Sequence, residues 1–164
     1  VVMKAYCTRV GNGPFPTELH GEEAEALRQA GHEFGATTGR PRRPGRFDAM
    51  AAKYAVDING ATEIALTKLD VLGGMETVKV GTGYVDGGAG VDFYPADAGR
   101  LERCKPVYSE FPGWEGDLAA AESYEQLPEK ARSYISALEE LVGCRVRYVS
   151  TGPSRDQFLD RGPA

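Results

Sequence analysis

The chain has 164 residues, with 41% hydrophobic and 26% charged side chains and a formal net charge of -5 at neutral pH. This length and composition are typical of one folded domain with a sizeable core, and they exclude a disordered chain. The acidic balance, and the lack of any apolar run near the roughly 20 residues of a bilayer span, predict neither nucleic acid nor a membrane as a partner.

The first elements along the chain are predicted from breakers and helical periodicity. Val1–Val10 has strand character and ends at Gly11–Pro16, where two prolines remove backbone donors. A helix is predicted over Glu22–Ala30, because a glycine follows it and can end it. A second helix is predicted over Phe47–Ile58, whose apolar residues recur at helical spacing before Asn59–Gly60.

Strands dominate the middle of the chain. The apolar run Glu63–Leu72 predicts a buried strand that runs into a loop at Lys68–Asp70. Thr77–Val85 predicts a second strand before a glycine-rich turn. Two further segments, Val91–Tyr94 and Lys105–Tyr108, predict short antiparallel strands.

The C-terminal part contains the clearest helical pattern. Pro128 suits the first turn of this helix and Gly143 suits its end. One face of the helix is apolar, with Ala131, Tyr134, Ile135, Leu138 and Leu141. Arg145–Val149 predicts a last strand that turns at Ser150–Pro153, and the charged tail Asp156–Ala164 is expected to fray.

The order of these elements predicts the fold class and the place of a ligand. Strands alternating with helices predict an α/β fold with a mixed, mainly parallel sheet and flanking helices. Ligands of such sheets bind at the carboxyl ends of strands. Gly35–Arg43, Thr67–Asp70 and Ser150–Pro153 all fall in predicted loops, the last two directly after strands. We therefore expect one ligand to be shared among them.

The first of these loops has the composition of an anion site. It carries the guanidinium groups of Arg40, Arg42 and Arg43, and the hydroxyl groups of Thr37 and Thr38 lie between two glycines, Gly35 and Gly39. Guanidinium groups bind carboxylate or phosphate with two prongs, and glycines let backbone N–H groups approach an anion. The residues alone leave open a solvated loop whose arginines pair with the surplus Asp and Glu.

The other two loops have the chemistry of a guanine site. The Asp70 carboxylate can accept hydrogen bonds from the N1–H and 2-amino groups of guanine, a pattern that adenine lacks, while the Lys68 stem covers one face of the ring. Ser150 or backbone N–H groups of its turn could reach the guanine O6 from the opposite side. Taken singly, each segment is equally compatible with an ordinary surface turn.

Cysteine and histidine residues add little to this site. The cysteines are far apart and form neither a zinc pattern nor a disulfide framework, which suits a reducing cytosol and predicts a cytoplasmic protein. They are Cys7, Cys104 and Cys144. His20 and His32 are predicted to lie on the surface.

Four motifs in register resemble the C-terminal part of the adenylosuccinate synthetase family. They are Lys4-Ala-Tyr-Cys-Thr-Arg-Val-Gly-Asn-Gly-Pro-Phe-Pro-Thr-Glu18, Glu33-Phe-Gly-Ala-Thr-Thr-Gly-Arg-Pro-Arg-Arg43, Leu66-Thr-Lys-Leu-Asp-Val-Leu72 and Ser150-Thr-Gly-Pro153. Their order and spacing match over nearly the whole chain. The resemblance implies the P-loop-like fold of that family and a cytoplasmic homodimer.

The resemblance also implies an activity. The family joins IMP and L-aspartate to form adenylosuccinate in the purine pathway to AMP, and it uses GTP and Mg²⁺. The 6-oxygen of IMP is phosphorylated first, and the aspartate amine then displaces the phosphate.

Site residues follow by similarity. The mobile loop that closes on aspartate would be Ala36, Thr37, Thr38, Gly39, Arg40, Pro41 and Arg42. IMP would contact Val10 and Arg40. GTP would contact Arg42, Lys68, Leu69, Asp70, Ser150, Thr151 and Gly152. Thr37 and Thr38 would hold an aspartate carboxylate, and Arg42 would lie between aspartate and the GTP phosphates. Pro41 should stiffen the loop without removing either neighbouring arginine.

Residues 1–164 would then be the C-terminal portion of the enzyme, because the sequence starts in mid-strand and lacks the family's N-terminal half. Neither G-x-x-x-x-G-K-[ST] nor Gly-Asp-Glu-Gly-Lys-Gly occurs in it. We therefore expect no catalytic residue and no metal ligand here, Mg²⁺ bound mainly by the missing half, and no activity of the chain alone. The alternative is a stand-alone, non-catalytic module that binds guanine nucleotides or anions.

Overall fold

The computed structural model describes residues 1–163. Within this range the strands are β1 Val2–Lys4, β2 Cys7–Arg9, β3 Arg43–Gly45, β4 Phe47–Asp48, β5 Glu63–Thr67, β6 Thr77–Asp86, β7 Ala89–Val91, β8 Lys105–Pro112, β9 Arg145–Ser150 and β10 Phe158–Asp160. The α-helices are α1 Gly21–Ala30, α2 Ala49–Asn59, α3 Ala98–Arg103 and α4 Glu129–Val142. Short 3₁₀ turns cover Asp70–Leu72, Leu118–Ala120 and Tyr124–Gln126.

The central sheet has the order β1-β5-β9-β10. Strand β5 pairs in parallel with both β1 and β9, and only β10 runs antiparallel, against β9. The carboxyl ends of β1, β5 and β9 therefore lie at one edge of the sheet. This arrangement confirms the predicted mixed, mainly parallel sheet.

A second sheet is built around the long strand β6. It pairs in parallel with β4 and antiparallel with β7 and β8, while β2 and β3 form a separate antiparallel pair. Of the two predicted short strands, Lys105–Tyr108 is confirmed as part of β8, whereas Val91–Tyr94 is wrong beyond Val91, because β7 covers Ala89–Val91 and ends there. The helix α3 between them was not predicted; the side chain of Asp97 caps it by accepting from the Arg100 N–H at 2.8 Å.

Helix α4 packs over the core as its pattern predicts. Its buried residues are Ala131, Tyr134, Ile135, Leu138 and Val142, so Val142 takes the deep position expected for Leu141, which is only partly buried. The helix ends at Gly143, which has the left-handed conformation of a C-terminal cap. The Tyr134 hydroxyl donates to the Ala5 carbonyl at 2.8 Å and ties α4 to the end of β1.

Two predicted boundaries in the first half of the chain are wrong. The strand over Val1–Val10 breaks at Ala5–Tyr6, which are buried where the chain leaves the central sheet for the β2–β3 pair. Phe47 belongs to β4 rather than to a helix, because it pairs with Val80 in the second sheet. Helix α2 starts at Ala49, where the Asp48 carboxylate accepts from the Ala51 N–H.

The tail is also ordered, against expectation. Strand β10 pairs with β9, its Leu159 is buried, and Asp160 forms an ion pair with Arg147 at 3.0 Å. The prediction that the tail frays is therefore wrong for β10, and its last residue, Ala164, lies outside the described residues. Among residues 1–163, no helix is both long and apolar enough to cross a bilayer.

Candidate functional site

The candidate site lies at the carboxyl edge of the central sheet. Leu66 of β5 pairs with Val149 of β9, and Lys4 of β1 pairs with Thr67 of β5. Neighbouring strands lie about 4.8 Å apart, so the turns that follow β5 and β9 leave the sheet side by side. The structure thus brings together the two segments predicted to enclose guanine.

The turn after β5 is fixed by a hydrogen bond to the end of α1. Lys68 has a positive φ of 64°, and its Nζ donates to the Gly31 carbonyl at 3.2 Å. Leu69, which was predicted to contact GTP, is fully buried and packs in the hydrophobic core. Asp70 is half-buried, and among residues 1–163 its carboxylate has neither a hydrogen-bond donor nor an ion-pair partner. The carboxylate is therefore available to a donor from outside the chain.

The turn after β9 uses several of its polar groups internally. The Ser150 hydroxyl donates to the Gly152 carbonyl at 2.9 Å, and the Thr151 N–H donates to the Gln157 carbonyl at 2.9 Å. A Cβ on Gly152 would come within 2.3 Å of Gln157 Oε1, so a glycine is needed for this packing. Within the described residues the Gly152 N–H has no acceptor, which makes it the free donor of the turn.

The arginine-rich loop, Gly35–Arg43, has an exposed tip and a base that is closed by backbone hydrogen bonds. Phe34 and Pro41 form an isolated antiparallel bridge, and the Gly35 N–H donates to the Arg40 carbonyl at 2.8 Å. Gly39 has a φ of 63° and donates back to the Gly35 carbonyl. All residues from Ala36 to Pro41 are exposed, Arg40 among them.

The three arginines of this loop have different environments. Arg43 forms a two-pronged pair with Glu18, with Nε and Oε1 2.7 Å apart, and donates to the carbonyls of Gly11 and Gly13. Arg42 donates from Nη1 to Glu33 Oε2 at 2.8 Å. The donors of Arg43 are therefore occupied by Glu18 and by the turn at Gly11–Gly13. The alternative of carboxylate pairing holds for Arg42 and Arg43.

A buried carboxylate at the base of the loop was missed by sequence reasoning. Glu33 is 1% exposed, and its Oε1 accepts from both Lys4 Nζ and the Tyr6 hydroxyl at 2.7 Å. Burial raises the pKa of Glu33, but hydrogen bonds from Lys4, Tyr6 and Arg42 together outweigh it and leave the pKa below its usual value. Burial and the Glu33 contact raise the pKa of the Tyr6 phenol, which stays protonated.

The remaining predicted residues lie on the surface. Val10 is 78% exposed and follows the Arg9–Arg43 pair of the β2–β3 ribbon, so it lies beside the base of the arginine-rich loop. His20 and His32 are exposed, as expected. Among residues 1–163, no group of three or more His, Cys, Asp or Glu side chains is placed to hold a metal ion.

Comparison with known proteins identifies the family. The family model for adenylosuccinate synthetase matches residues 1–159. The curated adenylosuccinate synthetase of Geobacter sulfurreducens is 58% identical over 96% of this chain, and that of Trichlorobacter lovleyi is 60% identical over 96%. A structure of fully ligated adenylosuccinate synthetase from Plasmodium falciparum superposes with a TM-score of 0.93 at 37% identity, covering 98% of this chain and 39% of that one.

The chain spans little more than a third of these relatives, 36% of the Geobacter protein and 37% of the Trichlorobacter protein. This share is what a portion of the enzyme would cover. Sequence, fold and the placement of the motifs agree, and the chain belongs to the adenylosuccinate synthetase family.

Proposed function

We propose that this chain supplies the guanine-binding and aspartate-binding parts of a GTP-dependent ligase that joins IMP and L-aspartate to form adenylosuccinate. The family to which it belongs supports this function, because relatives that match along nearly the whole chain carry that name. The observation that carries the proposal is the side-by-side exit of the turns after β5 and β9. Residues 1–164 would be the C-terminal portion of the enzyme.

The guanine base would lie between these two turns. The Asp70 carboxylate, free of partners among residues 1–163, would accept from N1–H and the 2-amino group. Ser150 and the N–H of Gly152, which has no acceptor among residues 1–163, would face O6, while the buried Leu69 and Thr151 would hold the two turns in place. Losing a charge-assisted hydrogen bond of this kind costs about 1.5–3 kcal/mol, which suffices to select guanine over adenine.

The arginine-rich loop would bind the second substrate. L-Aspartate is a dicarboxylate, and Thr37, Thr38 and Arg40 are exposed on the loop tip, where they could contact its carboxylates. Arg42 would lie between aspartate and the GTP phosphates. Arg40 and Val10 would contact the IMP ribose. Closure of the tip, whose flanking glycines permit movement, would exclude water from the phosphorylated intermediate.

The rest of the reaction would depend on a portion outside this sequence. The phosphate loop and the acid and base of catalysis would come from the N-terminal half, and the complete enzyme would be a cytoplasmic homodimer. When bound, Mg²⁺ would neutralise charge on the GTP phosphates. As the resemblance implies, the ion would be held mainly by the N-terminal half.

Calorimetric titration of the chain with GTP, GDP and ATP tests the guanine site. We expect GTP and GDP to bind at least about tenfold more tightly than ATP, because one charge-assisted hydrogen bond is worth that factor. Asp70→Ala should remove the preference, whereas Asp92→Ala, at an exposed carboxylate without partners among residues 1–163, should retain it. Equal affinity of the wild-type chain for GTP and ATP would contradict the guanine site.

A second experiment tests the dependence on the other half. The chain supplied with IMP, aspartate, GTP and Mg²⁺ should form no adenylosuccinate, and turnover would contradict the division of the site. The stand-alone binding module would be favoured if the upstream reading frame lacks Gly-Asp-Glu-Gly-Lys-Gly and the chain still binds GTP.

A further inference from the structure

The buried Glu33 carboxylate has a role that the family resemblance did not assign. We infer that Glu33 is a positioning residue that holds the Arg42 guanidinium as a fixed anion receptor at the base of the mobile loop. This inference rests on the proposed function, because it concerns how that reaction's dicarboxylate substrate is received. Glu33 itself would touch no substrate.

The first step is the geometry of the contact. Glu33 is 1% exposed while the Arg42 side chain is 33% exposed, so the carboxylate holds the guanidinium from its buried side. Only Nη1 of Arg42 is engaged by this carboxylate. Arg carries five N–H donors in a rigid fork, so the remaining donors can face an anion that arrives from the solvent.

The cluster around Glu33 has a net positive charge. Glu33 is the one carboxylate between the cations Lys4 and Arg42, with the Tyr6 hydroxyl as a neutral third donor. One positive charge therefore remains uncompensated within this cluster. An ionised carboxylate at this depth is tolerated only when it is paired and hydrogen-bonded, which all three donors ensure. The cluster fixes Arg42 and leaves it able to attract an anion.

The fixed and free parts of the loop meet just before Arg42. The Arg42 N–H donates to the Glu33 carbonyl at 2.9 Å, and the Arg42 carbonyl accepts from Arg28 Nε at 3.0 Å. Arg42 is thus held at its backbone on both sides and at its side chain. The residues before it, from Ala36 to Arg40, have hydrogen bonds only within the loop. Movement would therefore stop before Arg42, and the loop tip would close onto a receptor already in place.

The test uses the complete enzyme with Glu33→Gln and a matched control. A neutral amide keeps the shape of Glu33 but cannot balance Lys4 and Arg42. The control is Glu139→Gln, because Glu139 also pairs with an arginine, Arg161 at 2.6 Å, but lies at the opposite edge of the sheet beside the start of β9. Glu33→Asp is a second variant that retains the charge but withdraws the carboxylate by one methylene.

We expect Glu33→Gln to raise the KM for aspartate about tenfold or more, since weakening a charge-assisted contact to the substrate costs roughly that factor in affinity. The KM for IMP should stay within about twofold, because the proposed contacts of IMP with Val10 and Arg40 do not involve Glu33. Glu33→Asp should give a smaller change in the same direction. Glu139→Gln should leave both constants unchanged, even where it lowers the melting temperature as much as Glu33→Gln does.

The outcomes distinguish a failure of the proposed function from a failure of the role of Glu33. A wild-type enzyme without aspartate-dependent turnover would overturn the proposed function and this inference together. An active enzyme in which neither Glu33 variant changes the KM for aspartate would overturn the inference alone. Equal increases in the KM for aspartate and for IMP would also overturn it, since they would indicate a general structural role. If Glu33→Gln does not fold, Glu33→Asp decides by the same comparison.

Discussion

The effect of Gly152→Ala on the stability of the chain should depend on the side chain of Gln157, which packs against this glycine. A Cβ added at Gly152 would lie 2.3 Å from Oε1, 2.6 Å from Cδ and 3.0 Å from Nε2 of Gln157. These atoms are the end of a flexible side chain, so Gly152→Ala should displace Gln157 rather than break the turn. Displacement removes the hydrogen bond from the Ser154 N–H to Gln157 Oε1, now 2.9 Å long.

Two opposing contributions set the expected free energy. A typical hydrogen bond contributes about 0.5–1.5 kcal/mol to the stability of the folded chain. Replacing Gly by Ala restricts the unfolded chain and stabilises by about 0.4–1 kcal/mol where the backbone conformation is compatible. The backbone of Gly152 lies outside the left-handed region, so alanine can adopt it. Combined, these two contributions place Gly152→Ala between about 0.5 kcal/mol stabilising and about 1 kcal/mol destabilising.

The decisive assay is a double-mutant cycle in urea. In a Gln157→Ala background the obstructing side chain is gone, while the Thr151 N–H can still donate to the backbone carbonyl of residue 157. Gly152→Ala should then stabilise by about 0.4–1 kcal/mol, giving a coupling free energy of roughly 0.5–1.5 kcal/mol between the two positions. Strict additivity of the two substitutions would refute the packing argument.

Three further predictions concern the site and the core. Arg42→Leu in the complete enzyme should raise the KM for aspartate roughly tenfold or more, because a charge-assisted contact is lost; steady-state kinetics that show no change would exclude that role. Because Glu33 has a folded-state pKa below its unfolded value, its contribution to stability is present above the unfolded pKa and is lost as pH falls through the folded pKa. Glu33→Gln should accordingly flatten the acid limb of melting temperature against pH, and an unchanged limb would contradict this. Tyr134→Phe should destabilise the fold by about 1–3 kcal/mol, because the buried Ala5 carbonyl loses its donor, whereas Tyr108→Phe, at an exposed residue, should change little.

Much of the central sheet could be predicted because its signals are local. The apolar run before Lys68 corresponds to β5, and Arg145–Val149 corresponds to nearly all of β9. Helix α4 was predicted because its apolar residues repeat at helical spacing and Gly143 follows them. Since parallel strands end at one edge, the meeting of the two turns also followed from the predicted order of elements.

The errors arose where distant contacts decide the structure. The first strand breaks at Ala5–Tyr6, where the Tyr6 hydroxyl donates to Glu33, 27 residues away in the sequence. Strand β10 looked like a charged tail, yet Asp160 is neutralised by Arg147 in the adjacent strand. Local patterns of charge and hydrophobicity contain no information about such partners, so neither feature could be predicted from them.

The same limit explains how one short loop gives its arginines three different roles. Arg43 pairs with Glu18, 25 residues away, and Arg42 with Glu33, 9 residues away, whereas Arg40 is exposed on the tip. Three guanidinium groups within four positions look equivalent in the sequence, and only the placement of the two carboxylates distinguishes them. Because Glu18 engages Arg43 with both oxygens while Glu33 engages a single nitrogen of Arg42, the first pair is closed to an anion and the second remains open. Anion binding at this loop should therefore depend on Arg40 and Arg42 and be nearly independent of the charge on Arg43.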